Sequence, residues 1–298
     1  MRVIRPFEVS PSMIVANSAA EADAEYSPVS SYALDARCTL SATGRTYQCI
    51  QGPALGRTPN TSPLYWVDVG PSNRWAMFDG QISTPTTAVG ALSVTVATGM
   101  IDSVALVGVQ AQTARVVATD GLGGPVIFDS SQPFSGDIPG DWYQYFFFDA
   151  NSARTLGVWQ NIPPYQSTHV TVTINSGGAV ALGALLFGLS SEIGEAEYGA
   201  SAGIVDFSKK TTTANGLTAF EQRAFSKRLS VNLVVQRAQM NRVQRTLYGL
   251  RAVPAVWVAT DIAELEEAGT VYGFYRDFSA TISYPTETMY SLEIEGLI

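Results

Sequence analysis

The chain has 298 residues, of which 46% are hydrophobic and 15% charged, and its formal net charge is −8. That length predicts two or three domains with real cores. The sparse charge excludes a disordered, highly solvated chain, and the acidic balance excludes general nucleic-acid binding.

The start, MRVIRPFEVSPSMIVANSAA, lacks the continuous apolar stretch of a signal peptide. The most apolar run, residues 179–189, is interrupted by glycine and far below membrane-spanning length. A soluble protein made in the cytoplasm, with no membrane insertion, is expected. Residues 1–26 read as an N-terminal arm, a short extended piece followed by the small polar run NSAAEADAEYSP. Such an arm could add a strand to a neighbour's sheet edge.

Residues 27–74 predict a small β unit, with strands in SYALDARCTL, GRTYQCIQG and LYWVDVG. So short a unit buries little surface alone and should lean on its neighbour. It holds the only two cysteines, Cys38 and Cys49, with no CxxC pattern and no histidine nearby. A disulfide across a hairpin is open to them, but two buried reduced thiols suit a cytoplasmic product better.

Residues 75–190 predict a β-sandwich of jelly-roll type. About eight short runs of β-branched and aromatic residues, from GALSVTVA through DWYQYFFFD and HVTVTINS to ALGALLFG, alternate with turns such as DGLGG, SGDIPGD and NSGG. Residues 191–298 change character. RAFSKRLSVNLVVQ alternates as a strand; in RAQMNRVQRTLYGLRA, Met240, Val243, Leu247 and Leu250 then recur at helical spacing until Pro254. Three further strands follow, so the C-terminal part reads as a small α+β domain with one helix on a sheet. The expected fold is therefore mainly β throughout.

Charge is uneven along the chain. Residues 209–251 hold nine basic residues and one acidic one, a balance of +8 against −16 for the remainder. An acidic body with a basic belt suits docking by opposite potentials, and Arg237, Arg242, Arg245 and Arg251 are the candidate partner-binding residues. A solvated helix face beside basic strand ends would give the same counts.

Catalytic groups are not evident. The single histidine, His169, lies in the strand pattern STHVTVTIN, where a satisfied or exposed strand residue is expected rather than a base. One histidine and two cysteines make neither a nucleophilic triad nor a zinc site. Glu192, Glu195 and Glu197, and again Glu264, Glu266 and Glu267, could supply paired carboxyls for glycoside hydrolysis, roughly 5 to 10 Å apart. Both clusters fall in connections, where solvated loops explain them. DGLGGP lacks the GK[ST] ending and following helix of a phosphate loop. Asp79, Asp120 and Asp129 have no specific calcium-loop spacing. No catalytic residue, metal or cofactor is expected.

The stretch Tyr65–Gly80 packs four large rings into sixteen residues. With Tyr32, Tyr47, Cys49 and Pro63, the pattern GRTYQCIQG…P…LYWVDV resembles the small carbohydrate-binding modules of chitinases and phage tail proteins over about 45 residues. ALDARCTL departs from the usual G-x-x-V strand. The resemblance implies that Tyr47, Tyr65 and Trp66 stack on sugar rings. The same rings would also serve as the core of so small a unit, and Trp75 and Phe78 as its seam with the sandwich. From Arg74 onward, NRWAMFDG, IDSVALVGV, DWYQYFFFD, GIVDFSKK, RAFSKRL and the ending VYGFYRDFSATISYPTETMYSLEIEGLI resemble proteins of tailed-bacteriophage tail gene clusters. This resemblance implies a virion structural protein of the tail tip or baseplate, non-enzymatic and assembled in several copies. Its partners would be other tail proteins, with a host-surface glycan as a further ligand. The alternatives are a carbohydrate-binding receptor reader without an assembly role, and a hydrolase of the host envelope.

Overall fold

The computed structural model describes residues 1–135, 153–212, 215, 218–260, 262, 265–282 and 285–297. The protein is mainly β and divides into two compact units, Glu8–Leu186 and a second formed by Met1–Phe7 with Phe187–Ile298. The expected strand DWYQYFFFD and the turn before it lie outside the described residues, as does Glu264.

In Glu8–Leu186, Arg37–Leu40, Arg45–Cys49 and Trp66–Pro71 form an antiparallel three-stranded sheet. Ser31–Tyr32 and Ala54–Leu55 pair beside it. The turn into the second strand uses Gly44 at φ 64°, and a Cβ there would sit 2.7 Å from the Trp75 ring. The small sheet therefore rests its turn on Trp75, which in turn lies 5.4 Å from Phe78. Glycine is required at this position both for the positive φ and for the close approach.

A β-sandwich makes up the rest of this unit. One layer is Ile14–Asn17, Thr86–Ala97, the first part of Thr168–Glu192, Thr113–Asp120 and Val126–Pro133, each antiparallel to the next. Its inner face follows the period of two: Val94 and Val96, Val170, Val172 and Ile174, Ala114, Val116 and Ala118 are all buried. Beyond it, Ser103–Gln110 pairs with Leu156–Trp159 and with Thr168–Glu192. Phe134, which follows Val126–Pro133, stacks 6.4 Å from Trp159.

Here the structure differs from the sequence expectation. HVTVTINS and ALGALLFG are not two short strands but one 25-residue strand, Thr168–Glu192. NSGG reads as a turn, yet the register against Thr86–Ala97 only shifts between Asn175 and Ala179. Gly178 meets no atom within 4 Å of a would-be Cβ. The two glycines let the strand bulge while it keeps Thr86–Ala97 as its partner on both sides of the shift.

In the second unit an antiparallel sheet runs in the order 188–192, Arg2–Pro6, Ala255–Val258, Thr270–Thr281, Glu287–Gly296 and Phe225–Gln236. The first residues are thus not a free arm. Arg2–Pro6 is an internal strand with Val3 and Ile4 buried. Its apolar run is too short to announce itself; the two strands that flank it make it a strand. The helix Met240–Gly249 follows a 3-10 turn at Arg237–Gln239. It buries Val243, Leu247 and the adjoining Leu250 on a sheet face containing Leu233, Val235, Trp257, Tyr290 and Leu292. The Trp257 indole donates to the Gly273 carbonyl at 3.0 Å. One helix on a sheet is the expected arrangement. No helix among the described residues is long and apolar enough to cross a membrane.

Candidate functional site

Three surfaces deserve comparison, beginning with the small sheet's aromatics. Trp66 is 3% exposed and Tyr47 7%, and both belong to a buried cluster with Cys38, Cys49 and Ala54. The Trp66 indole donates to the Arg57 carbonyl at 2.8 Å. Its ring stands edge-on to Tyr32 at 5.1 Å and to Tyr26 at 6.2 Å. Neither the Trp66 nor the Tyr47 ring has an open face for a sugar. Tyr65 is half-buried, with the Arg57 guanidinium 5.1 Å above its ring. It lies in the turn that leads into Trp66–Pro71 and packs at the rim of that same cluster. On the outer face of the sheet Val67 is exposed, and Gln48, opposite Val67, donates to Asp35 at 2.9 Å.

The thiols are free and fully buried. Burial pushes the Cys38 thiol up to about 11, helped by the carboxylates of Glu25 and Asp23. It is accordingly an inert, protonated thiol at neutral pH.

His169 is a strand residue opposite Thr119, its Nδ1 2.8 Å from the Ser167 carbonyl oxygen. The Ser167 hydroxyl donates to Asp120 rather than engaging the imidazole. Asp79 accepts from Gln81 N–H at 2.7 Å and from the Thr84 hydroxyl at 2.7 Å, and Asp129 pairs with Arg115. The three aspartates are thus each engaged in separate local contacts.

The second surface is the solvent face of the helix. Asn241, Gln244, Arg245 and Tyr248, spaced at three and four residues, line a shallow groove of about 440 Å³. Tyr248 is 60% exposed, with its ring 5.9 Å from Phe278. Arg237, Arg242, Arg245 and Arg251 are all exposed. Three of them donate to neutral oxygens: Arg237 to the Pro285 carbonyl, Arg242 to the Gln239 side chain and Arg245 to the Asn241 carbonyl, at 3.1–3.3 Å. Among the described residues, none of the four arginines is in an ion pair. Helical spacing brings Arg242 and Arg245 together because the fold buries the opposite stripe. Arg237 and Arg251 flank the two ends. The remaining basic residues of the belt fare differently, since Arg228 pairs with Glu293 and Arg223 with Glu221.

The third surface is one that residue types alone do not single out. Between Glu195 and Thr212 the chain forms three short strands. Glu195–Ala196 and Ser201–Asp206 pair with Phe225–Gln236, Glu195 opposite Val234, Ser201 opposite Ser230 and Asp206 opposite Phe225. Lys209–Thr212 pairs with Thr218–Glu221 in a separate two-stranded sheet, Lys209 opposite Glu221. Tyr198 is fully exposed, and Ile204, Phe207, Phe220 and Phe225 are 45–76% exposed. Ile204, Asp206, Ser208, Phe220, Arg223 and Phe225 line a groove of about 520 Å³. Asp206 is held ionised below the usual carboxylate range by hydrogen bonds from Ser208. The signal available in the sequence is the order EAEYGASAGIVDFSKK, acids at one end and bases at the other.

No family model matches the chain, and no curated protein matches it.

Proposed function

We propose that the chain is a non-enzymatic structural component of a bacteriophage tail tip or baseplate, present in several copies, that docks other tail proteins through its C-terminal unit. The virion assignment comes from the tail-cluster motifs of the sequence. The docking assignment rests on one observation, the helix face of Arg242, Arg245 and Tyr248, flanked by Arg237 and Arg251, whose charges have no carboxylate partner among the described residues. Tyrosine and arginine are the residue types that concentrate binding energy at interfaces, and uncompensated arginines select an acidic, carboxylate-bearing partner surface. The test is the double reversal Arg242→Glu/Arg245→Glu. Both side chains are exposed, so the melting temperature should stay close to the parent's while incorporation into particles is lost. Normal incorporation of the folded variant would remove the helix from the reading.

A second reading, sugar recognition at a host surface, draws on Tyr65. Its half-buried ring sits at the rim of the small sheet's cluster under the Arg57 guanidinium at 5.1 Å, and a partly open flat ring beside a hydrogen-bond donor is a chemistry that suits a pyranose. Polysaccharide pull-down lost in Tyr65→Ala, with folding intact, would support it. Equal binding by the parent and Tyr65→Ala would end it.

A further inference from the structure

The outer strand of the C-terminal unit is an open edge. Ser201–Asp206 pairs with Phe225–Gln236 on one side only, and no hydrogen bond among the described residues reaches its other side. Five of its six residues are fully solvent-facing, and it carries none of the lysines or prolines that usually block an edge from pairing. Exposed aromatic and aliphatic side chains, Tyr198, Ile204, Phe207, Phe220 and Phe225, gather around it. Such an edge is a template for another strand.

We propose that this edge pairs with the same edge of a second copy of the chain, antiparallel and about a two-fold axis at Gly203. Charge selects this occupant. Glu195 and Glu197 precede the edge strand, while Lys209 and Lys210 follow it, so the strand is acidic at one end and basic at the other. An antiparallel mate reverses that order. With Gly203 opposite Gly203, the Glu195 and Glu197 end of each copy's edge lies toward the Lys209 and Lys210 end of the other's. Parallel pairing would instead set like charges side by side, which is destabilising.

Beside the edge, Ile204, Phe220 and Phe225 line a mixed groove with Asp206, Ser208 and Arg223, which gives a pairing strand both apolar and polar surface to cover. Gly203 leaves the centre of the edge open, because a Cβ there meets nothing within 4 Å. A two-fold contact of this kind is isologous: each residue that gives a contact also receives it.

This inference deepens the assembly reading by naming one partner as the chain itself, but it involves a different surface from the arginine helix. The experiment is light scattering of the purified full chain over a concentration series, for the parent and three charge variants. The parent is expected to form a dimer that weakens with added salt. Glu195→Lys/Glu197→Lys and, separately, Lys209→Glu/Lys210→Glu should each weaken it at least about tenfold, since each reversal sets like charges opposed at both ends of the two-fold interface. Combining all four substitutions restores opposite charges and should restore the dimer, a rescue that a merely misfolded variant would not show. A parent that stays monomeric at its highest soluble concentration overturns the proposal. So does a dimer insensitive to both reversals, or one that the combined variant fails to recover. Arg242→Glu/Arg245→Glu should leave the dimer intact, which separates failure of this interface from failure of docking to the tail.

Discussion

Truncating Trp66 to alanine separates a packing role from a sugar-binding role for the small sheet's aromatics. The indole is 3% exposed, stands against Tyr32 and Tyr26, and donates to the Arg57 carbonyl. Removing a core tryptophan costs about 3–5 kcal/mol, and the carbonyl left without its donor adds to that loss. A cost near 4 kcal/mol raises the opening equilibrium of this part by about a thousandfold, at roughly 1.4 kcal/mol per decade. The cysteines report on it directly, because Cys38 and Cys49 are the chain's only thiols and both lie fully buried in the same cluster. When reclosing is fast, the rate of thiol labelling tracks the open population, so Trp66→Ala should label about a thousandfold faster than the parent. Tyr65→Ala, losing a half-buried ring at the rim of the cluster, should cost about 1 kcal/mol and speed labelling about fivefold or less. If Trp66→Ala labelled within tenfold of the parent, the indole would not hold this core together, and the argument that burial removes it from ligand binding would fail.

Two further outcomes follow from other buried positions. The Cys38 thiol is raised from 9.0 to about 11, so the fold favours its neutral form. Its contribution is complete below about pH 9 and is lost as pH climbs through about 11. Two units correspond to roughly 3 kcal/mol, so the parent's urea midpoint should fall over that window more steeply than that of Cys38→Ala; parallel curves would refute the assignment. Gly273→Ala should lower the urea midpoint of the C-terminal unit by at least about 2 kcal/mol of stability, since the new Cβ would lie 2.0 Å from the Glu295 carbonyl oxygen on the adjacent strand. An unchanged midpoint would mean that the two strands separate there at little cost.

The features legible from sequence are those with a strong local period. Met240, Val243, Leu247 and Leu250 mark a helix face whatever surrounds it, and the alternation of Val170, Val172 and Ile174 marks a half-buried strand. The bulge in Thr168–Glu192 is hidden because Gly177 and Gly178 serve a turn and a bulge equally well. Arg2–Pro6 is hidden for a different reason: its partners are residues 188–192 and 256–258, far along the chain, and no local pattern reports such pairing. For the aromatics, residue type gives the ring but not the face. Tyr65 and Trp66 are neighbours in sequence, yet Trp66 lies inside the cluster with Cys38 and Cys49 while Tyr65 packs only at its half-buried rim, a distinction set by the turn that ends where the strand begins at Trp66.

The basic segment 209–251 shows how the same limit applies to charge. Counted along the chain it is one belt of nine basic residues against a single acid. In the fold Arg223 and Arg228 are paired with Glu221 and Glu293, and Lys227 donates to the Glu267 carbonyl at 3.2 Å. What remains is divided between two surfaces with different chemistry. Arg242 and Arg245 share a helix face with an exposed tyrosine and have no ion-pair partner among the described residues, the feature on which the proposed acidic partner rests. Lys209 and Lys210 follow the open edge strand Ser201–Asp206, and Glu195 and Glu197 precede it, the charge order on which the proposed self-pairing rests. Net charge alone gives one belt; the placement of its charges in the fold separates the helix face from the strand edge, and so lets the two proposed contacts be tested apart.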